Sequence, residues 1–261
     1  MSRAKQCAAE RVKGCGMRGK TDLNYAIVLS GGIGSRLKGI DIPKQYYRVC
    51  GRTVISFCIE TMERAECIDA YSIVADGRWQ DEILGEMNRL GYETRIAFGS
   101  KFQGFAQPGE NRQLSILNGL LFLKNQAKQE DIVLIQDAAR PNTSDGLLKR
   151  CIQAAERSDG AMPVLHMKDT VYYSADGKKV DSLLERDKIL AGQAPEAFVY
   201  GKYLRANENL LPDEMMHING STEAALKAGM EIALVEGEEE NFKITTAEDL
   251  RRFEQLKSSR K

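Results

Sequence analysis

From Tyr25 onward, short β-rich runs alternate with runs of helical period, and that alternation restricts the chain to very few architectures. YAIVLS reads as a buried strand, TVISFCIETMERA as a helix, DAYSIVAD as the next strand, and RWQDEILGEMNRLG as an amphipathic helix closed by Gly91. YETRIAF then reads as a third strand, NRQLSILNGLLFLKNQ as a helix, DIVLIQDAARP as a strand running into a polar loop, and DGLLKRCIQAAERS as another helix. Parallel strands need crossover connections, and crossover helices cover both faces of the sheet they join. The expected fold is α/β: a three-layer, Rossmann-like domain with a mostly parallel sheet, its ligands bound at the carboxyl ends of the strands.

One segment breaks the alternation. MKDTVYYSADGKKVDSLLER holds two short β-rich runs around SADGKK, an Asp-Gly hairpin signal, so a β-hairpin arm is expected at about residues 168–186. Arms of this kind suit pairing with a second subunit, and a homodimer is expected. EIALVEG and NFKIT read as late strands and TAEDLRRFEQLK as a closing helix, with Thr246 and Asp249 set for a capping box. Residues 1–22 carry six basic side chains against two acidic ones and no sustained apolar period, which fits a disordered tail or a translation start at Met17. Residues 23–261 then form one domain.

Lysines plus arginines equal aspartates plus glutamates at 37 each, so no global field draws nucleic acid or an anionic membrane, and a small-molecule partner is expected. No apolar run approaches the roughly eighteen residues of a membrane span, nor does the start carry a secretion signal, so the chain reads as cytoplasmic. The six cysteines lack a C-x-x-C pair, and the two histidines, His166 and His217, lack metal-ligand spacing. Histidine-driven chemistry is not expected.

AIVLSGGIGSRLKGIDIPKQY, Ala26 to Tyr46, places a glycine loop directly after the first strand. It fails the dinucleotide fingerprint, because Leu37 stands where the third glycine belongs, and it has no Gly-Lys pair at phosphate-loop spacing. Gly31, Gly32 and Gly34 let backbone amides approach an anion, while Arg36 and Lys44 add two cations within ten residues. That much charge suits a triphosphate better than a monophosphate. Solvated surface cations beside an ordinary loop are the alternative.

AIVLSGGIGSRL with PKQY, then GENRQLSILNGL, QDAARP, RDKILAGQAPEAF and NFKITTAEDL occur in the order seen in cytidylyltransferases of small polyol phosphates. The chain resembles the 2-C-methyl-D-erythritol 4-phosphate and ribitol-5-phosphate cytidylyltransferase family over about Tyr25 to Leu256. The resemblance implies a nucleotidyltransferase domain that moves CMP from CTP to a polyol phosphate and releases pyrophosphate with Mg2+. It implies that Ser30, Gly31, Gly32 and Gly34 wrap the base and phosphates, and that Gly109 and Ser115 recognise cytosine. Arg36, Lys44 and Lys243 are implied as the catalytic cations. Arg140, Thr170 and Arg186 are implied on the acceptor side, Arg186 reaching across the dimer. Asp137 and Glu240 match metal carboxylates, although Asp137 also reads as a turn cap and Glu240 as part of a solvated acidic run.

Two departures fall on the acceptor side: Ala194-Pro195-Glu196 stands where the family usually has Thr-Pro-Gln, and Asn219-Gly220 where it usually has Thr-Asp. A hydroxyl and a carboxylate are missing there, which is expected to change the preferred polyol. Two other functions stay open on the sequence: a relative that binds CTP without turnover, and an NAD(P)-dependent dehydrogenase on a similar fold.

Overall fold

Tyr25, Ala26, Ile27 and Val28 are all buried, so the first strand runs inside a sheet covered on both faces. The structure, a computed structural model, describes residues 22–32, 42–94 and 100–259. Among them the main sheet has eight strands: β1 Asn24–Leu29, β2 Ala70–Val74, β3 Phe102–Ala106, β4 Ile132–Asp137, β5 Gly160–His166, β6 Leu190–Gly192, β7 Glu196–Val199 and β8 Ile232–Glu236. Their order is β6-β5-β7-β4-β1-β2-β3, with β8 also paired to β5. β3, β2, β1 and β4 run parallel, and β7 is antiparallel to both β4 and β5. The sheet is mostly parallel, as expected.

The helices are α1 Val54–Arg64, α2 Gly77–Arg89, α3 Arg112–Phe122, α4 Asp145–Ala155, α5 Tyr200–Glu208, α6 Ser221–Lys227 and α7 Ala247–Ser258. Alternation along β1 separates two cores. Ala26 and Val28 face α1, α2 and α4 through Ile55, Ile59, Met87, Leu148 and Ile152. Tyr25 and Ile27 face α3, α5 and α6 through Ile116, Leu120, Tyr203 and Ala224. These are the three layers. A third cluster, with Val54, Phe57, Ile244, Leu250 and Phe253, docks α7 on α1.

Several sequence expectations need correction. NFKIT is not a strand: its backbone crosses the loop after β4, where the Ile244 amide donates to the Ala139 carbonyl at 2.8 Å. Most of the YETRIAF expectation lies outside the described residues, which include only its irregular start at 92–94. The neighbouring sheet strand is FQGFA, whose alternating burial suits a half-covered edge and whose Gly104 takes a positive φ of 116° beside a register shift. β5 was also missed, since Pro163 interrupts its apolar run. The tail up to Thr21, with Gly34 and Arg36 of the glycine loop, lies outside the described residues.

The hairpin forms where the Asp-Gly signal predicted, Tyr172–Tyr173 pairing antiparallel with Ser182–Leu183. Gly177 at its tip has φ 69°, and Asp176 accepts from the Lys178 and Lys179 amides. Tyr172, Tyr173, Val180 and Leu183 are each more than half exposed, whereas among the large hydrophobic residues described in the main sheet only Leu234 is.

Candidate active site

β1 and β4 lie side by side with Leu29 opposite Asp137, so the glycine loop after β1 and the carboxylate ending β4 meet at one edge of the sheet. Between them opens a cleft of about 450 Å³. Gly31, Gly32, Lys44, Gly109, Ser115, Asp137 and Lys243, all singled out from sequence, line it. Gln45, Glu110, Asn111 and Arg112 line it too and were not singled out.

The loop is braced from behind by the segment that follows it. Pro43 leads into a short turn, Lys44–Tyr46, whose Gln45 side chain donates to the carbonyls of Ser30 at 2.7 Å and Gly32 at 2.8 Å. Ser30 is buried and bonds the Tyr46 hydroxyl at 2.9 Å, and Tyr46 stacks on Trp79 with ring centroids 4.2 Å apart. Ser30 therefore supports the loop rather than facing the cleft. Gly31 has no room for a side chain, since a Cβ there would lie 2.5 Å from Pro108 Cβ.

The opposite wall is the start of α3. Asn111 caps this helix by accepting from the Leu114 amide at 2.7 Å. Ser115 accepts from the Gly109 amide at 3.0 Å and donates to the Asn111 carbonyl at 2.9 Å, closing the turn on itself. A Cβ on Gly109 would fall 2.3 Å from Leu114 Cβ, so glycine is required there.

Asp137 is buried and surrounded by cations. Arg112 approaches its Oδ1 with Nη2 at 3.1 Å and Nε at 3.2 Å, and Lys243 Nζ lies 2.8 Å from its Oδ2. Arg140 Nε stands 3.8 Å from the same Oδ2. Burial works to raise its pKa, but Arg112, Lys243 and Arg140 outweigh burial and hold its carboxyl well below the ordinary carboxylate range. The Asp137 carboxylate is therefore not a turn cap; its partners are side chains, Arg112 and Lys243 from two other segments and Arg140 from the loop that follows it. Lys243 is carried by a short segment pinned on both sides: Asn241 donates to the Ala194 carbonyl at 2.7 Å, and Ile244 is buried under α7. The predicted capping box is present, Thr246 and Asp249 bonding reciprocally.

Other predicted residues fall elsewhere. Arg140 is largely buried beside Asp137 and bonds the Asn241 carbonyl at 2.6 Å, away from the cleft lining. Glu240 lines a separate pocket and bonds Asn142, so the described geometry does not bring it to Asp137. Thr170 and Arg186 are exposed at the base of the hairpin, where Arg186 bonds the Lys168 carbonyl at 3.2 Å. Among the described residues no three His, Cys, Asp or Glu side chains gather to hold a metal unaided. Asp137, a strand-end carboxylate in the cleft lining, is a hard oxygen donor of the kind a magnesium ion takes, although Arg112, Lys243 and Arg140 now share it.

Arg112 is the main omission of sequence reasoning. It occupies the first turn of α3, where the helix dipole disfavours a cation, and that unfavourable placement is a signal of function. Glu196, singled out from sequence only as a departure, has partners that the sequence did not indicate: its buried carboxylate accepts from Ser221 and from Thr222, the latter at 2.8 Å, and lies 3.6 Å from Arg112. The first acceptor-side departure thus packs against the helix residues that directly follow the second, a strand carboxylate paired with the Ser221 and Thr222 hydroxyls.

The family model described as 2-C-methyl-D-erythritol 4-phosphate cytidylyltransferase matches residues 25–257. A ribitol-5-phosphate cytidylyltransferase of Streptococcus agalactiae is 26% identical, over 91% of this chain and 96% of its own. A 2-C-methyl-D-erythritol 4-phosphate cytidylyltransferase of Clostridium acetobutylicum is 30% identical, over 90% of this chain and 97% of its own. Among solved structures, a 4-diphosphocytidyl-2C-methyl-D-erythritol synthase from Anaerococcus prevotii superposes with a TM-score of 0.76 at 25% identity, covering 91% of this chain and 96% of that one.

Proposed function

The chain belongs to the 2-C-methyl-D-erythritol 4-phosphate cytidylyltransferase family, and from that premise we propose that it transfers CMP from CTP to a small polyol phosphate, releasing pyrophosphate. One observation carries the proposal: among the described residues, the cleft at the ends of β1 and β4 gathers Lys44, Arg112 and Lys243 around the start of a glycine loop and a single buried carboxylate, with no histidine in its lining.

That inventory suits phosphoryl chemistry. An oxygen of the acceptor's phosphate forms a bond to the α-phosphorus of CTP as the bond from that phosphorus to the β-phosphate's bridging oxygen breaks, and pyrophosphate leaves with the electron pair. A phosphate monoester has a second pKa near 6 and is mostly dianionic at neutral pH, so no general base is required. Lys44 and Lys243 hold the phosphates and neutralise charge that builds up on the transferring group. Gly31 and Gly32 let the nucleotide approach the backbone, and the Gly109 to Ser115 turn forms the wall for the base. Asp137 would hold magnesium, which when bound neutralises phosphate charge and eases departure of pyrophosphate. The exposed hairpin with Tyr172, Tyr173, Val180 and Leu183 supports a homodimer, in which Arg186 and Thr170 stand at the acceptor side. Sedimentation at twice the chain mass is the expected result, and a single-chain mass at micromolar concentration would contradict it.

The acceptor is decided by product identity. The chain is incubated with magnesium and CTP, UTP, ATP or GTP, each with methylerythritol phosphate or ribitol phosphate, and products are read by mass spectrometry. A CDP-linked polyol from one acceptor, and none from the purine nucleotides, is expected. Equal use of all four nucleotides would overturn cytosine recognition by the turn at Gly109.

A further inference from the structure

We infer that Glu196 is a positioning residue that acts through Arg112, holding the guanidinium between two carboxylates so that it does not turn wholly onto Asp137. This rests on the cleft being the CTP site. Asp137 already receives Lys243 at 2.8 Å and Arg140 at 3.8 Å as well as Arg112 at 3.1 Å, three cations on one buried carboxylate. Buried charges need partners, and Glu196 brings the second carboxylate, 3.6 Å from Arg112 Nη2. Ser221 completes the arrangement: it accepts from Arg112 Nη1 at 2.6 Å and donates to Glu196.

A guanidinium is a rigid planar fork, so anchoring Nε and Nη2 on Asp137 and Nη1 on Ser221 fixes its plane. Glu196 itself does not line the cleft and Arg112 does, so its influence on a bound nucleotide passes through Arg112. Thr222, at 2.8 Å from the other Glu196 oxygen, keeps the carboxylate turned toward the cluster.

Glu196→Gln separates charge from packing, because glutamine has the same shape and retains one carbonyl oxygen for Ser221 or Thr222. Titration calorimetry with CTP and magnesium is expected to show binding weakened by about tenfold, the size of one charge-assisted hydrogen bond. The melting temperature should fall by less than in an Asp137→Asn variant, because Arg112 keeps its closer partner Asp137. Glu196→Asp, which keeps the charge, should recover part of the loss. Ser221→Ala should weaken binding in the same direction. In a Glu196→Gln and Arg112→Lys double variant the losses should not add, since both act on one guanidinium. Wild-type affinity in Glu196→Gln, or additive losses in the double variant, would overturn the inference while leaving the CTP reading intact. A wild-type chain that takes up no CTP would overturn both.

Discussion

Asp137→Asn is expected to abolish measurable transfer and to destabilise the folded chain at neutral pH. The carboxylate is the shared partner of Arg112, Lys243 and Arg140, and an amide leaves those cations facing one another around a buried neutral group. Removing one member of a buried ion cluster typically costs about 3–5 kcal/mol. The effect has a defined pH dependence. Because the folded carboxyl is held below its ordinary value, the unfolded chain takes up the proton first as pH falls. The stabilisation is therefore fully present above about pH 4, the ordinary aspartate range, and is lost as pH falls through the folded value. Melting curves of wild type and variant should be far apart at pH 7 and converge in acid. A constant separation across that range would contradict the ion cluster as the source of the stability.

Lys243→Ala is expected to lower kcat/KM for CTP by roughly 10²–10³-fold, the usual effect of removing one preorganised donor to a transition-state charge. Its ammonium lines the cleft and is 36% exposed, so the side chain is available to a ligand. The backbone around it is held independently: Asn241 is tied to Ala194, Ile244 sits in the cluster under α7, and Arg252 lies over the Phe242 ring at 4.0 Å. Loss of activity should therefore come without loss of fold. Asp137 keeps Arg112 and Arg140 in this variant, and the melting temperature should move far less than in Asp137→Asn. Steady-state kinetics within threefold of wild type would remove Lys243 from the phosphate site.

The layered architecture was legible in the sequence because buried parallel strands must be apolar on both faces, and YAIVLS and DIVLIQD satisfy that condition outright. FQGFA was not legible, because an edge strand needs only one apolar face and its glycine and glutamine resemble a loop. NFKIT has β-branched and aromatic residues for a different reason: Ile244 fills the cluster under α7 while Lys243 turns to the cleft.

The site divides along the same line. Lys44, Gly31, Gly32, Gly109, Ser115, Asp137 and Lys243 stand in short motifs at strand ends and loops, and the fold brings them to one cleft. The roles of Arg112 and Glu196 depend on contacts between segments far apart in the chain: Arg112 reaches Ser221, 109 residues away, and Glu196 reaches Ser221, 25 residues away. No local pattern encodes such meetings. Glu196 stood out in sequence only as the wrong residue for the family, and its meaning came from the hydroxyls and the arginine packed against it.

The most direct test is pyrophosphate release from CTP and magnesium, followed with methylerythritol phosphate, with ribitol phosphate and with no acceptor. Release that requires one polyol phosphate, matches the CDP-polyol formed mole for mole and falls away in Lys243→Ala is the predicted result. Bound CTP that yields no pyrophosphate with either acceptor, or release that proceeds equally without one, would contradict transfer at this cleft.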